Sequence, residues 1–347
     1  MKVLVTGHTG YIGSVMMPTL RAAGHVVVGL DAGYFSDCTL YPPLETYPSI
    51  EKDLRDVTPG DLEGFDAIVH LAALSNDPLG AIRPDLTHEI NHEASRRLAE
   101  HAKTAGVRRF LFASSCSMYG ASADDALLTE ESAFNPVTAY AESKVRFERD
   151  LDVLASDTFS PVSLRNATAY GVSPLLRLDL VLNNLVGWAY TTGKVRIMSD
   201  GTPWRPVVHV EDICRVFALM LDAPIDRIHN RAFNVGQSSE NYQVRDLAAI
   251  VRDTVPGCEI EYAGASGLDS RNYRVDFSRL RSTFAAFEFR WDARRGAREL
   301  YDVYRRAGLT VQDLQGRRYI RLNQLKHLMS VGDVDDMLRW ATASRHS

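Results

Sequence analysis

This sequence of 347 residues is short of cysteine, of long hydrophobic runs and of any large excess of one charge. Its four cysteines (Cys38, Cys116, Cys214 and Cys258) lie far apart and form no C-x-x-C pair. That spacing argues against a disulfide framework and against a zinc knuckle. We therefore expect free thiols and no metal site.

The charge balance and the hydropathy exclude several kinds of partner. The chain has 39 basic and 44 acidic residues, well interspersed, and a net charge of −5, so we expect no nucleic-acid partner. The opening MKVLVTGHTG reaches glycine too early for the apolar core of a signal peptide, and no run is long enough to span a bilayer. We expect no membrane partner and a cytoplasmic location.

What the chain does have is an alternation of short β-branched runs with longer helical patterns. The runs KVLVTG, VVVGLD, AIVHLAA and RFLFASS alternate with helical stretches such as SVMMPTLRAAG and HEASRRLAEHAKTAG. This alternation predicts an α/β fold, a doubly wound parallel sheet covered by helices on both faces. Beyond about Tyr170 the pattern loosens, which indicates a smaller second lobe interleaved with returns to the sheet.

The chain beyond Tyr170 contains further helical patterns, over residues 178–192 and 244–251. Near the end, Leu322, Leu325, Leu328 and Met329 recur at helical spacing in RLNQLKHLMSVG. This stripe predicts an amphipathic helix that packs on the body of the protein, with partner binding as the alternative.

A glycine-rich turn follows the first predicted strand. The segment GHTGYIGS places Gly7, Gly10 and Gly13 between that strand and a helix, where glycine lets the backbone approach a pyrophosphate. The next strand ends at Asp31, eighteen residues after Gly13 and near the roughly 20 expected for an acid that binds a ribose 2′-hydroxyl. No cation follows that acid, so NAD is favoured over NADP. A glycine turn without a dinucleotide is the alternative.

A tyrosine and a lysine four residues apart are candidates for proton transfer. On a helix, Tyr140 and Lys144 of TAYAESK share one face, and a nearby ammonium group favours the phenolate. By itself such a pair is also typical of a solvated helix face. The strand RFLFASS ends in small polar residues that, in an open α/β sheet, emerge where ligands bind.

In their order along the chain, these motifs resemble the extended short-chain dehydrogenase/reductases, in particular the nucleotide-sugar epimerases and dehydratases. The likeness covers roughly residues 1–300. The three glycines match the family's G-x-x-G-x-x-G, and Ser115 lies four residues before the tyrosine of MYG, as the catalytic serine or threonine does. The resemblance implies that Ser115, Tyr140 and Lys144 are catalytic and that NAD is the cofactor.

The resemblance also implies a set of binding residues. The implied cofactor-binding residues are Gly7, Gly10, Tyr11, Ile12, Gly13, Asp31, Asp53, Leu54, Leu71, Ala72, Ala73, Asn91, Tyr140 and Lys144. The implied substrate-binding residues are Ser75, Cys116, Ser117, Thr168, Asn184, Arg205 and Arg271. The implied substrate is a nucleotide-diphosphate sugar.

The residues after Ser115 separate the reactions of this family. The dehydratases carry an Asp-Glu pair there, because eliminating water needs both an acid and a base. Here those places hold Cys116 and Ser117, so dehydration is disfavoured. The cysteine of the 3,5-epimerases stands one position later, so a small buried thiol is the preferred interpretation of Cys116. The resemblance therefore implies a 4-epimerase that oxidises carbon 4 and reduces it again.

Three other functions remain open: an NDP-sugar dehydratase, a ketosugar reductase, and a dinucleotide-sensing regulator that has lost catalysis. The expected organisation is a Rossmann-type domain over 1–172, with returns around 205–236, that binds NAD. Residues 173–204 and 237–347 form the expected nucleotide-sugar lobe and a C-terminal helical tail. A homodimer through the helices around 94–105 and 140–151 is a further family expectation.

Overall fold

The structure is a computed structural model that describes residues 1–41, 45–75, 83–121, 127–262 and 271–341. The strands of these residues are β1 (Lys2–Thr6), β2 (Val26–Asp31), β3 (Ser49–Glu51), β4 (Ala67–His70), β5 (Arg109–Ser115), β6 (Leu127–Leu128), β7 (Ser160–Asn166), β8 (Thr168–Tyr170), β9 (Lys194–Ile197), β10 (Trp204–His209), β11 (Arg231–Val235), β12 (Asn241–Gln243), β13 (Glu259–Tyr262) and β14 (Arg274–Val275).

The described residues also form twelve α-helices. They are α1 (Gly13–Ala22), α2 (Pro84–His88), α3 (Ser95–Thr104), α4 (Ala139–Leu154), α5 (Val181–Thr192), α6 (Val210–Asp222), α7 (Ile225–Ile228), α8 (Val244–Thr254), α9 (Ser278–Thr283), α10 (Ala293–Ala307), α11 (Val311–Gln315) and α12 (Arg321–Val331). A π-helical turn, Glu89–Ala94, joins α2 to α3.

Seven parallel strands form the central sheet, in the order β11-β7-β5-β4-β1-β2-β3. Val3 and Val5 of β1 pack in one buried cluster with Met16 of α1, whereas Leu4 between them packs in another cluster with Leu98 of α3. Alternate side chains of a strand point to opposite faces, so helices cover the sheet on both sides. The predicted doubly wound α/β fold is confirmed.

Three smaller sheets complete the strand pairing of the described residues. They have the orders β12-β10-β8, β13-β9 and β14-β6. A separate buried cluster links α5, α8 and α10 through residues such as Val186, Val251 and Leu300. The predicted strand VRIM corresponds to β9, and α8 covers the predicted helix over 244–251. The domain boundaries drawn from the sequence stay a prediction.

The C-terminal tail, residues 317–341, packs back onto the body of the protein. Leu325 and Leu328 of α12 are buried against Leu74, Leu86 and Ile90. The predicted packing of the amphipathic helix is confirmed, although Met329 of the same stripe is exposed.

The structure also bears on what the sequence predicts for the cysteines and for membrane-spanning segments. All four cysteines are buried free thiols, as expected. Among the described residues, no helix combines the length and apolar character that crossing a bilayer requires.

Candidate functional site

A cavity of about 1140 Å³ opens where the carboxyl ends of the central strands meet the second lobe. Its walls include the turn after β1, the end of β2, the loop after β4 and the end of β5. Residues of β9, β10 and α5 close the opposite side. A cleft at the carboxyl edge of a parallel sheet is the usual ligand site of this architecture.

The glycine turn forms a tightly packed wall of this cavity. Gly7 has φ +75°, and a Cβ there would lie 2.8 Å from the backbone nitrogen of Ala72. A Cβ on Gly13 would lie 2.1 Å from the carbonyl oxygen of Gly7, so neither position accepts a side chain. The first turn of α1 has no side-chain cap and no acidic residue. The N-terminal end of its dipole therefore favours a negatively charged group.

Asp31, at the end of β2, is held by two backbone donors. The N–H of Thr9 donates to one carboxylate oxygen at 3.1 Å, and the N–H of Gly33 donates to the other at 2.8 Å. These bonds connect the carboxylate to the glycine turn. It lines the cavity at the place predicted for the ribose-binding acid.

Asp53 and Leu54 line the cavity next to Asp31, but the carboxylate of Asp53 is already engaged. The guanidinium of Arg55 donates to both of its oxygens, at 2.9 and 2.6 Å. Burial opposes ionisation of Asp53, but the hydrogen bonds from Arg55 outweigh it and hold its pKa below the usual range. Only the remaining lone pairs of Asp53 are open to an adenine.

The loop after β4 brings Leu71, Ala72, Ala73 and Ser75 to the cavity wall. Asn91, predicted to bind the cofactor, lies behind this loop and does not line the cavity. Its side-chain amide accepts from the N–H of Leu74 at 2.8 Å and donates to the carbonyl oxygen of the same residue at 3.1 Å. The structure therefore places Asn91 as a residue that positions the loop.

The end of β5 presents two serines and hides a thiol. Ser115 and Ser117 line the cavity, and the Ser115 hydroxyl donates to that of Ser117 at 2.9 Å. Cys116 is fully buried, and its thiol points to the carbonyl oxygen of Arg165 at 3.1 Å. Burial raises the pKa of the thiol. The predicted substrate contact of Cys116 is absent from the cavity wall, in agreement with its interpretation as a small buried residue.

Tyr140 and Lys144 lie on one face of α4, as their spacing predicts. The Lys144 Nζ lies 5.5 Å from the centroid of the Tyr140 ring and donates to the carbonyl oxygen of Ala113 at 2.8 Å. It also lies over the ring of Phe112, at 4.6 Å. Burial lowers the pKa of Lys144 to about 7, and the carboxylate of Glu148 opposes that shift.

The residues predicted to bind the substrate lie on the second-lobe side of the cavity. They are Thr168, Asn184, Arg205 and Arg271. The side chain of Asn184 donates to the carbonyl oxygen of Leu178 at 2.8 Å, and Arg205 is only 6% exposed. The cavity thus brings together all of the predicted site residues except Asn91 and Cys116.

Sequence reasoning missed one charged pair in the wall. The guanidinium of Arg177 donates to both carboxylate oxygens of Asp179, at 2.9 and 2.8 Å, and to the hydroxyl of Ser75 at 3.0 Å. A signal was present, because the two charges interrupt the apolar run PLLRLDLVL. Buried charges inside such a run need a partner or a ligand.

Sequence reasoning also missed Tyr34, Phe35 and Arg321, which line the same cavity. Tyr34 and Phe35 follow the predicted ribose-binding acid closely in the chain. Arg321 is 290 residues beyond Asp31, and no motif connected it to this site.

The residues present fit NAD. Because Gly7 and Gly13 carry no Cβ, the glycine turn packs closely on the loop after β4 and on itself at the cavity wall. Beside it, the Nδ1 of His8 and the hydroxyl of Thr9 are buried without a hydrogen-bond partner among the described residues. Asp31 lies one strand away and offers a carboxylate for a ribose hydroxyl.

Comparison with known proteins agrees with this fit. The model of the NAD dependent epimerase/dehydratase family matches residues 3–236. The UDP-glucose 4-epimerase of Corynebacterium glutamicum is 30% identical over 268 residues, which cover 73% of this chain and 80% of that protein. The UDP-glucose 4-epimerase of Mycolicibacterium smegmatis is 29% identical over 296 residues, covering 81% and 91%.

A solved structure of similar sequence is that of MoeE5 in complex with UDP-glucuronic acid and NAD. It is 29% identical to this chain, with a TM-score of 0.76, and the match covers 88% of this chain and 100% of that one.

Proposed function

Because this chain belongs to the NAD dependent epimerase/dehydratase family, we propose that it interconverts two UDP-sugars that differ in configuration at carbon 4. The names of its relatives and the ligand of MoeE5 support a uridine diphosphate sugar. One observation carries the proposal: Tyr140 and Lys144 line the same cavity as the glycine turn. A proton-transfer pair and a dinucleotide cradle therefore share one space.

Tyr140 removes the proton of the sugar 4-hydroxyl and later returns a proton to the 4-keto oxygen. The phenol has an ordinary pKa near ~10, so it needs a neighbouring cation to act near neutral pH. Lys144, with its nitrogen 5.5 Å from the ring centroid, is that cation in its protonated form. Ser115 turns its hydroxyl from Ser117 to the substrate oxygen and orients it.

NAD, when bound, supplies the acceptor and the donor of hydride for this reaction. The glycine turn and the N-terminal end of α1 hold its diphosphate, and Asp31 holds a ribose hydroxyl. The other residues proposed to contact the cofactor are Gly7, Gly10, Tyr11, Ile12, Gly13, Asp53, Leu54, Leu71, Ala72 and Ala73.

The second-lobe side of the cavity holds the nucleotide sugar. Arg205 and Arg271 supply positive charge for the substrate diphosphate, and Asn184 supplies an amide. Ser75, Ser117 and Thr168 surround the sugar. The sugar must turn between oxidation and reduction, so we expect the firm contacts to be those to the nucleotide.

The proposal extends to the organisation of the chain. Residues 1–172, with the returns around 205–236, bind NAD, and residues 173–204 and 237–347 supply the sugar lobe and the tail. The protein acts in the cytoplasm as a homodimer through the α3 and α4 helices. These two helices pack side by side, and Lys103 donates to the carbonyl oxygen of Leu154 at 2.7 Å. A monomer by light scattering at assay concentration would contradict the dimer.

The test is an incubation of the purified protein and NAD with UDP-glucose, UDP-galactose or UDP-glucuronic acid in D₂O, followed by proton NMR. We expect the 4-epimer to form with its original hydrogen at carbon 4, because hydride leaves and returns without exchanging with water. Deuterium in the sugar ring, or a released keto product, would contradict 4-epimerisation.

The variant that tests the role of Tyr140 is Tyr140→Phe, which removes only the phenolic oxygen. We expect it to bind NAD with unchanged affinity and to lower turnover by at least ~10², because proton transfer is lost. Turnover close to that of the unaltered protein would remove Tyr140 from the proposed mechanism.

A further inference from the structure

Arg321 is a buried cation in the wall of the cavity and comes from the C-terminal tail. It stands at the first residue of α12, beyond the part of the chain that the family model matches. Its side chain is almost fully buried and lines the cavity. One guanidinium nitrogen, Nη2, donates to the carbonyl oxygen of Leu175 at 2.9 Å, and the guanidinium lies 4.3 Å over the ring of Phe35.

The second terminal nitrogen of the guanidinium, Nη1, has no such bond. The Nη1 of Arg321 is buried and has no hydrogen-bond partner among the described residues. The Asp179 carboxylate is near, but both of its oxygens already accept from Arg177. Burial and the positive charge of Arg177 lower the pKa of Arg321 to about 10. The thiol of Cys38 and the carboxylate of Asp179 interact with the cation and offset this shift only in part. The remaining donor favours an anion in the cavity, because a buried polar atom without a partner is costly.

The position of Arg321 decides which anion fits. Its guanidinium stacks on Phe35, which follows the ribose-binding Asp31 and lines the adenosine half of the cavity. The loop that accepts from Arg321 at Leu175 also contacts the glycine turn, because the hydroxyl of Ser173 donates to the carbonyl oxygen of Tyr11 at 2.8 Å. Arg205 and Arg271 lie instead on the second-lobe side, where the sugar nucleotide is proposed to bind. These contacts favour the diphosphate of the dinucleotide as the anion.

We propose that Arg321 is a cofactor-binding residue whose free guanidinium donor pairs with the diphosphate of NAD. The tail then belongs to the cofactor site and not only to the sugar lobe. The inference rests on NAD as the cofactor of the proposed function and is independent of which sugar is epimerised.

The tail is fixed where this contact requires it. The indole N–H of Trp340 donates to the carbonyl oxygen of Ala32 at 2.6 Å, and its ring stacks on Tyr34 with centroids 5.8 Å apart. Arg55, which also binds Asp53, donates to the carbonyl oxygen of Met337 at 2.9 Å. These bonds tie the segment after α12 to the adenosine end of the cavity.

The test compares Arg321→Gln with the unaltered protein by calorimetric titration with NAD, ADP, adenosine and UDP, without any sugar substrate. We expect the affinities for NAD and ADP to fall tenfold or more, since a charge-assisted hydrogen bond is lost. The affinities for adenosine and UDP are expected to stay unchanged. Lys326→Gln removes the same charge from an exposed position of α12 and serves as the matched control, with no change expected.

Unchanged affinities for NAD and ADP would overturn the proposal, as would a loss confined to UDP. A second measurement needs no variant. In the unaltered protein, NAD and ADP should slow amide hydrogen exchange in the first turn of α12, whereas adenosine should not. Equal protection by all three, or by none, would also overturn it. Failure to epimerise any sugar would leave these binding results intact and would count only against the proposed reaction.

Discussion

At the scale of single residues, burial imposes a strong desolvation penalty on the charge of Lys144. Its nitrogen is buried beside the ring of Phe112 and bonded to the carbonyl oxygen of Ala113, and its pKa falls to about 7. Near neutral pH the ammonium and amine forms are therefore both populated in the ligand-free protein. A negatively charged phenolate at Tyr140 would favour the ammonium form. The titrations of the two groups are therefore coupled.

The lowered pKa of Lys144 predicts a pH dependence of stability. Between about pH 7 and its ordinary pKa of 10.5, the unfolded chain binds a proton at this residue that the folded chain does not. This one group should therefore raise the free energy of unfolding with pH in this window, by at most about 1.4 kcal/mol per pH unit. The four buried thiols, whose pKa values burial raises, contribute with the opposite sign, so the contribution of Lys144 is read from the difference between two proteins. The measurement is urea unfolding between pH 7 and 8.5, below the range where tyrosines titrate.

Lys144→Met is the variant that isolates this contribution. It keeps the length of the side chain and removes the titrating amine. The slope of its free energy of unfolding against pH should therefore be less positive than that of the unaltered protein. Parallel pH profiles for the two proteins would show that Lys144 stays charged in the folded chain.

The sequence predicts the site residues whose spacing expresses geometry. Tyr140 and Lys144 are four apart on a helix, and the glycines and Asp31 keep fixed offsets along a strand, a turn and the next strand. Arg321 has no such offset, because only tertiary packing of the tail brings it to the cavity. Asn91 is the opposite case. Its motif predicts a cofactor contact, but its amide is bonded to the backbone of Leu74.

At the scale of elements, the link between β1 and α1 depends on the absence of one Cβ. Gly13→Ala would place that atom 2.1 Å from the carbonyl oxygen of Gly7, which cannot move without shifting the turn. We expect the affinity for NAD to fall at least tenfold, because the N–H groups of α1 lose their alignment. The measurement is calorimetric titration with NAD, together with thermal unfolding.

Gly60→Ala is the matched control for this change. A Cβ at Gly60 meets nothing closer than 3.9 Å, so the same added methyl group should leave NAD affinity unchanged. If Gly13→Ala binds NAD as tightly as this control does, the close contact at the turn is not needed for binding.

The elements of the central sheet were well predicted, because strands buried on both faces appear as unbroken β-branched runs. The second lobe was predicted less completely. The three smaller sheets are only two or three strands wide. Two of their strands, β6 and β14, have only two residues each, which is too short to leave a hydrophobic pattern. The helix predicted over 178–192 begins at Val181, since the preceding residues form the loop that carries Arg177 and Asp179.

At the scale of the whole molecule, the C-terminal tail packs against the segment that follows β2. Trp340→Ala removes the hydrogen bond to Ala32 and the stacking on Tyr34, so the segment around it should open more often. We expect trypsin to cleave after Arg339 roughly thirtyfold faster, since the two lost contacts together contribute about 2 kcal/mol. The measurement is mass spectrometry of the fragments over time.

Trp188→Ala removes the same kind of side chain from α5 and provides the control. It should leave the rate of cleavage after Arg339 unchanged. Equal rates in both variants would show that Trp340 does not hold the segment in place.

The separation of Gly13 and Arg321 in the chain has a consequence for biosynthesis. Both line one cavity, yet a ribosome makes the second about 300 residues after the first, a delay of roughly 15–60 s at ordinary elongation rates. During that interval the nascent cradle faces solvent without its last wall. A coenzyme molecule captured early would dissociate readily, and lasting retention would begin only once translation has passed the tail.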